Sequence, residues 1–108
     1  MLILDDNKQR ADFMCKRFPQ ANVVWVDNVK DCLLSLQESW DVVRLDHDLG
    51  GEAFVDSSRR DCGMEVVRYL TTISHKHLEE TLFICHSHFA RAGEEMAKAL
   101  SLAGYDAM

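Results

Sequence analysis

Proline is almost missing from this chain: Pro19 is the only one among 108 residues, beside five glycines. That scarcity excludes a disordered or low-complexity chain. Positive charge is also in short supply, with 12 Lys and Arg against 18 Asp and Glu and a formal net charge of −6. A general nucleic-acid surface or an anionic-membrane surface needs a basic patch, so neither is expected; a local cationic pocket stays open. The four cysteines, Cys15, Cys32, Cys62 and Cys85, form no C-x-x-C pair, which weighs against zinc-ribbon and thioredoxin chemistry. No apolar run approaches the roughly 18 residues of a membrane span. The first apolar run begins almost at Met1, with no signal-like segment ahead of it. The expectation is a cytoplasmic chain with reduced cysteines.

What the chain does have is a core. Hydrophobic residues make up 47% of it, and its length fits one domain over residues 1–108. "MLIL" reads as a first strand, followed by polar "DDNKQ". Ala11, Met14, Cys15 and Phe18 then fall at i, i+3, i+4 and i+7, one face of a helix that Pro19 ends. "NVVWV" is a second strand. Val29, Cys32, Leu33, Leu36 and Trp40 return to helical spacing, with Asn28 and Asp31 as a capping pair at the start. "DVVRLD" is a third strand, and "HDLGGEAFVDSSRRDCG" after it has little periodicity. Met64, Val66, Val67, Leu70 and Ile73 mark a third helix and "TLFICH" a fourth strand. Ala92, Met96, Ala99, Leu100 and Ala103 form the apolar face of a fourth helix, with Gly104 placed to end it. "YDAM" could begin a fifth strand.

This strict alternation predicts a parallel sheet with helices on both faces. The strands are nearly continuous apolar runs, as strands buried on both sides should be. The expected fold is therefore α/β, a flavodoxin-like three-layer α/β/α arrangement. Its parallel sheet has order 2-1-3-4, with the fifth strand short or missing. A missing fifth strand would leave the fourth as an exposed edge, to be covered by a second copy, by a partner, or by the final residues.

In such a sheet, ligands bind outside the carboxyl ends of the strands where strand order reverses, here between the first and third strands. That rule gathers Asp5 and Asp6 from the first strand, Asp46, His47 and Asp48 from the third, and His86, Ser87 and His88 from the fourth. Aspartates crowded in one cleft repel each other unless a cation or proton intervenes. Oxygen donors suit magnesium or manganese, and added imidazoles bring zinc within reach. A bound divalent ion could hold a phosphate and activate water, and a histidine could move the proton.

Each feature has an ordinary explanation beside it. Asp6 could cap the first helix, and Asp-His-Asp after a strand could be a solvated turn. His75 and His77, in a polar segment, read as solvated; Cys32 and Cys85, at apolar positions, read as core. Arg44 sits mid-strand on the face of Asp46, and a buried guanidinium needs a partner, so pairing with a carboxylate is expected. Arg59, Arg60 and Arg91 could supply phosphate contacts.

The layout resembles the receiver domain of two-component signalling over nearly the whole chain. "LDD" at 4–6 resembles the receiver's acidic pair, and "WDVVRLD" at 40–46 the third strand that ends in the phosphoacceptor, here Asp46. Gly63 resembles the glycine after that strand's loop, and Ser87 lies near the receiver's hydroxyl residue. Two departures stand out. The loop after Asp46 is long and charged, and no fifth-strand lysine occurs in the chain. "LDHDL" at 45–49 and "HSH" at 86–88 resemble more closely the cyclic-phosphate-processing receiver-like family, although Phe89 stands where that family has an asparagine.

That resemblance implies a metal-dependent phosphoesterase that hydrolyses a cyclic phosphate derived from a nucleotide or from ADP-ribose. It implies a metal, magnesium or manganese before zinc, on Asp5, Asp6 and Asp46. It places Asp46, His47, Asp48, His86 and His88 in catalysis, and Ser87, Arg91 and Arg59 on a small phosphorylated substrate. Two other readings remain: a receiver phosphorylated on Asp46, and a catalytically silent interaction domain.

Overall fold

The computed structural model describes residues 1–108. Chain order is β1 (Leu2–Leu4), α1 (Lys8–Arg17), β2 (Val24–Val26), α2 (Val29–Ser35), β3 (Val42–Asp46), α3 (Gly63–Thr72), a 3-10 turn at Lys76–Leu78, β4 (Leu82–His86), α4 (Ala90–Leu102) and β5 (Asp106–Ala107). The five strands form one sheet in the order β2-β1-β3-β4-β5, and every adjacent pair is parallel. The flavodoxin-like order expected from the sequence is thus observed, with β5 short but present.

Local chemistry explains the boundaries. Asn28 accepts a hydrogen bond from the Asp31 N–H at 2.9 Å while its own amide donates to the Asp31 carboxylate at 2.9 Å, a reciprocal cap for α2. At the far end of α4, Gly104 takes φ +99°, a left-handed conformation that glycine adopts without strain. Its N–H bonds the Ser101 carbonyl and the Tyr105 N–H bonds that of Leu100, which closes the helix as a Schellman turn. Tyr105 is thereby aimed back at the sheet and Asp106–Ala107 pair with Leu82–Phe83. Met108 adds two backbone bonds to β4, so the chain's own last residues cover that edge.

The core lies on one side of the sheet. Leu2, Leu4, Val43, Leu45 and Phe83 pack there against Cys32 and Leu36 of the α2 segment, Val66, Val67 and Leu70 of α3, and Met96 and Leu100 of α4. Right-handed crossovers place α1 on the opposite face, alone. That isolation explains a difference from expectation. Of the four residues on its apolar stripe, Ala11 is buried and Met14 half-buried, but Cys15 and Phe18 are exposed, because no neighbouring helix covers the flanks.

His75 also departs from expectation. It is buried rather than solvated, its ring 4.7 Å from that of Tyr69 and one nitrogen 3.3 Å from the Tyr69 carbonyl. His77 is exposed but its Nε2 is bonded to the Leu36 carbonyl at 2.7 Å. Cys32 and Cys85 pack with the core as expected, and burial pushes both thiols up to about 12, which leaves them unreactive. No helix is long and apolar enough to cross a membrane.

Candidate metal and phosphate site

A cleft of about 570 Å³ opens at the carboxyl ends of β1, β3 and β4. Its walls include Asp6, Arg10, Asp46, Asp48, His86 and His88. The sheet creates it directly. Asp46 and His86 are register partners on β3 and β4, and Asp5 follows the last residue of β1. One ligand atom each from Asp5, Asp46 and His86 lies within 4.8 Å of the others. Two carboxylates and an imidazole suit manganese and zinc, and magnesium through the oxygens. These residues fit a divalent cation by donor type and spacing.

The electrostatics are those of a crowded acid cluster. Asp5 and Asp46 are each 3% exposed. Burial first, and Asp5 second, push the Asp46 carboxyl up to about 7, against the opposing pull of the Asp48 N–H and of Arg10. Burial likewise holds the His86 imidazole below its ordinary value, helped by Arg44 and Arg10 and opposed by Asp5. A neutral His86 can offer a ring nitrogen to a metal. Nδ1 of His86 is 3.7 Å from the Asp46 carboxylate.

Arg10 is the cation that the sequence reading missed. Its guanidinium grips Asp5 with two bonds, Nε at 2.9 Å and a terminal nitrogen at 2.8 Å. The same terminal nitrogen lies 3.4 Å from Asp46 and 3.5 Å from Asp6. Its position one turn after Asp6 on α1 was the available signal. A metal and this guanidinium would compete for the same carboxylates. Arg10→Gln is therefore expected to tighten Mn²⁺ binding roughly three- to tenfold, on the order of 1 kcal/mol for a half-exposed charge. Calorimetric titration at pH 8, above the value of about 7 to which the Asp46 carboxyl is pushed, checks this; unchanged affinity would refute the competition.

Asp6 neither caps α1 nor joins the metal-spaced cluster. Asn7 is the cap, accepting from the Arg10 N–H at 3.1 Å. The Asp6 carboxylate instead accepts the Gly51 N–H at 2.6 Å and so ties the long loop across the cleft.

His47 is fully buried and does not line the cleft. Its Nδ1 meets the Asp48 carboxylate at 2.9 Å and its Nε2 the Ser57 hydroxyl at 2.8 Å. Asp48 also accepts the Val55 N–H at 3.0 Å and the His88 N–H at 2.8 Å. His47, the Val55 and His88 N–H groups hold its carboxyl below the ordinary range despite its burial. One carboxylate thus pins the β3 loop, the long loop and the β4–α4 turn together. Ser57, unremarked in the sequence, completes this network.

His88 is exposed at the cleft rim. Ser87 lines the cleft, but its hydroxyl is engaged at the start of α4, accepting the Gly93 N–H at 3.0 Å and donating to the Phe89 carbonyl. The arginines separate. Arg59 pairs with Glu52 and Asp61 at 2.8 and 2.6 Å and does not line the cleft. Arg91 lines a neighbouring cavity and reaches Glu95 at 3.4 Å. Arg44 forms no ion pair, contrary to expectation; Asp5 is its electrostatic neighbour, and the half-buried guanidinium lines a second cavity with Arg10 and His86. Being only half-buried, it keeps water contact, which removes the need for a carboxylate.

Comparison with known proteins gives two results. The sequence profile described as "Cyclic-phosphate processing Receiver domain" matches residues 1–102. The fold is similar to the crystal structure of a response regulator protein from Burkholderia pseudomallei with a phosphorylated aspartic acid, calcium ion and citrate, with a TM-score of 0.62 and 16% identity. That match covers 98% of this chain and 55% of the other, so the chain spans about half of that protein's length. No curated protein sequence matches.

Proposed function

The chain belongs to the cyclic-phosphate processing receiver family, and from that premise we propose that it is a metal-dependent phosphoesterase that opens a cyclic phosphate. The observation that carries this reading is the meeting of Asp5, Asp46 and His86 within 4.8 Å beside a cleft whose rim holds His88. Asp5, Asp46 and His86 would hold a divalent cation, magnesium or manganese before zinc. Such an ion neutralises phosphate charge and lowers the barrier to attack by water.

The chain's own residues do the rest. Partial burial holds the half-buried His86 imidazole below its ordinary value, which favours its holding the ion over carrying a proton away. His88, exposed at the rim and with its backbone anchored on Asp48, would protonate the departing sugar oxygen. Water would add to phosphorus and lose one proton to solvent, the phosphorus–oxygen bond of the ring would break, the departing oxygen would take a proton from His88, and His88 would regain a proton from solvent. Asp48, His47 and Ser57 act as positioning residues that hold the turn bearing His88. The Asp6–Gly51 bond keeps the long loop closed over the same cleft.

A second reading has one specific observation behind it. Asp46 ends the third strand of a fold similar to that of a response regulator with a phosphorylated aspartic acid and a calcium ion. In that reading Asp46 is itself phosphorylated, and the metal stays in the same place. His88 would then have no part in the chemistry. The deciding assay incubates the protein with Mg²⁺ or Mn²⁺ and a panel of 2′,3′- and 1″,2″-cyclic phosphates. Metal-dependent ring opening, lost in His86→Ala and slowed about 10²-fold or more in His88→Gln, is the expected result. Absence of turnover together with stable labelling of Asp46 by acetyl phosphate overturns it in favour of the second reading.

A further inference from the structure

We propose that the rim of the cleft carries a nucleobase slot, so that the phosphate handled there belongs to a nucleotide rather than to a base-free sugar phosphate. This rests on the phosphate reading above and names its substrate class. Phe54 of the long loop is 68% exposed and Phe89 at the start of α4 is 52% exposed, yet they come from separate segments and meet with ring centroids 6.1 Å apart. Two large aromatic side chains left in water side by side forgo burial that a core would supply.

The backbone beneath them points the same way. Phe54 is the only non-glycine residue with positive φ, at +56°. Bulky residues rarely adopt that conformation, and where they do the surroundings hold them there for a reason. Here the ring stands against His88, edge-on, with centroids 5.1 Å apart.

Beside the two rings is a cavity of about 190 Å³, lined by Phe54, Val55, Phe89 and Ala92, with Ser57, Arg91 and Glu95 supplying polar groups. This is below the roughly 300–1,000 Å³ of pockets that take a whole drug-sized ligand, and suits one planar ring system. The two rings are tilted by 50° to each other, so a base can stack on an exposed ring face and pack against Val55 and Ala92, with the Arg91 guanidinium and Glu95 carboxylate to meet its edge. Asp48 borders both this cavity and the main cleft, and His88 stands between Phe54 and the acid cluster. A nucleotide would therefore lay its base in the slot, pass its sugar across His88 and present its cyclic phosphate to Asp46. The long loop also carries Glu52, Asp56 and Asp61, which disfavours a nucleic-acid strand and favours a mononucleotide.

The test is equilibrium binding to the Mn²⁺-loaded protein by calorimetry. The probes are adenosine 2′,3′-cyclic phosphorothioate and the base-free methyl ribofuranoside 2,3-cyclic phosphorothioate, sulfur-substituted to slow ring opening. The adenosine compound is expected to bind at least about tenfold tighter. Phe89→Ala and Phe54→Gly, the latter chosen because glycine accepts the local backbone, should each weaken adenosine binding roughly 5- to 50-fold. Binding of the base-free compound should not change in either variant. Equal affinities for the two compounds, undiminished binding in both variants, or no binding of either compound overturns the slot. So does self-association of the wild type that Phe89→Ala abolishes without any base preference, which would assign the patch to protein contact. Base-dependent binding without turnover of any cyclic phosphate would keep the slot and reject the phosphoesterase. Turnover of both compound types with equal KM would do the reverse.

Discussion

Asp46→Asn is expected to stop ring opening and, without metal, to make the fold more stable. The two effects have one cause. Asp46 is 3% exposed and lies beside Asp5, and its carboxyl is pushed up to about 7. In the unfolded chain an aspartate titrates near 3.9. Between those values the folded protein holds a proton that the unfolded chain releases, so stability falls as pH rises from about 4 to about 7. Asparagine removes that slope while its side-chain oxygen can still accept the Asp48 N–H, now 3.3 Å from Asp46 Oδ1.

The gain at pH 8 should be on the order of 1–3 kcal/mol, read as a higher Tm in chelator. On the proposed function, activity should fall by roughly 10³-fold, since losing a carboxylate that would hold the metal would remove several kcal/mol of charge stabilisation at about 1.4 kcal/mol per factor of ten. Added Mn²⁺ should stabilise the wild type and leave the variant unmoved. A variant no more stable than the wild type at pH 8 in chelator would show that Asp46 is not held in the folded state at a cost.

Gly63→Ala should damage the fold severely. A Cβ at Gly63 would lie 2.2 Å from the Asp46 carbonyl oxygen and 2.9 Å from the His47 Cα. Both are backbone atoms, and the Gly63 N–H donates to the His47 carbonyl at 2.9 Å, so neither chain can yield cheaply. The first turn of α3 must move off the end of β3, opening the core around Val66 and Val67 and displacing Asp46 itself. A loss of about 3 kcal/mol or more is expected, a large share of the ~5–15 kcal/mol that holds a domain of this size. Thermal unfolding should show a Tm lower by roughly 15 °C or more. A variant within a few degrees of the wild type would refute the close-approach account.

The resemblance named Gly63 only as a matching glycine; its reason lies in a contact between segments far apart in chain order. The same division runs through the site. Asp5, Asp46 and His86 could be assembled from the sequence because strand ends in a parallel sheet share one edge, and the β-α alternation set the strand order. Asp6, Asp48 and His47 could not be told apart from them by type or spacing. Side chains at adjacent positions after a strand diverge, and which enters the cleft depends on what the loop offers the others. Here the loop offers Gly51 to Asp6, Val55 to Asp48 and Ser57 to His47. Arg59 was equally open to a ligand until Glu52 and Asp61 claimed it.

The sequence by itself determined the parallel sheet, its order and the edge where chemistry would gather, because those follow from periodicity and from the handedness of crossovers. Only the tertiary structure decided the rest: Arg10 as the cation across the acids, His47 as an inward-facing anchor, and Phe54 beside Phe89 at the rim. Each depends on a contact between residues distant in the chain, and no local pattern records which of several chemically suitable partners will come within reach.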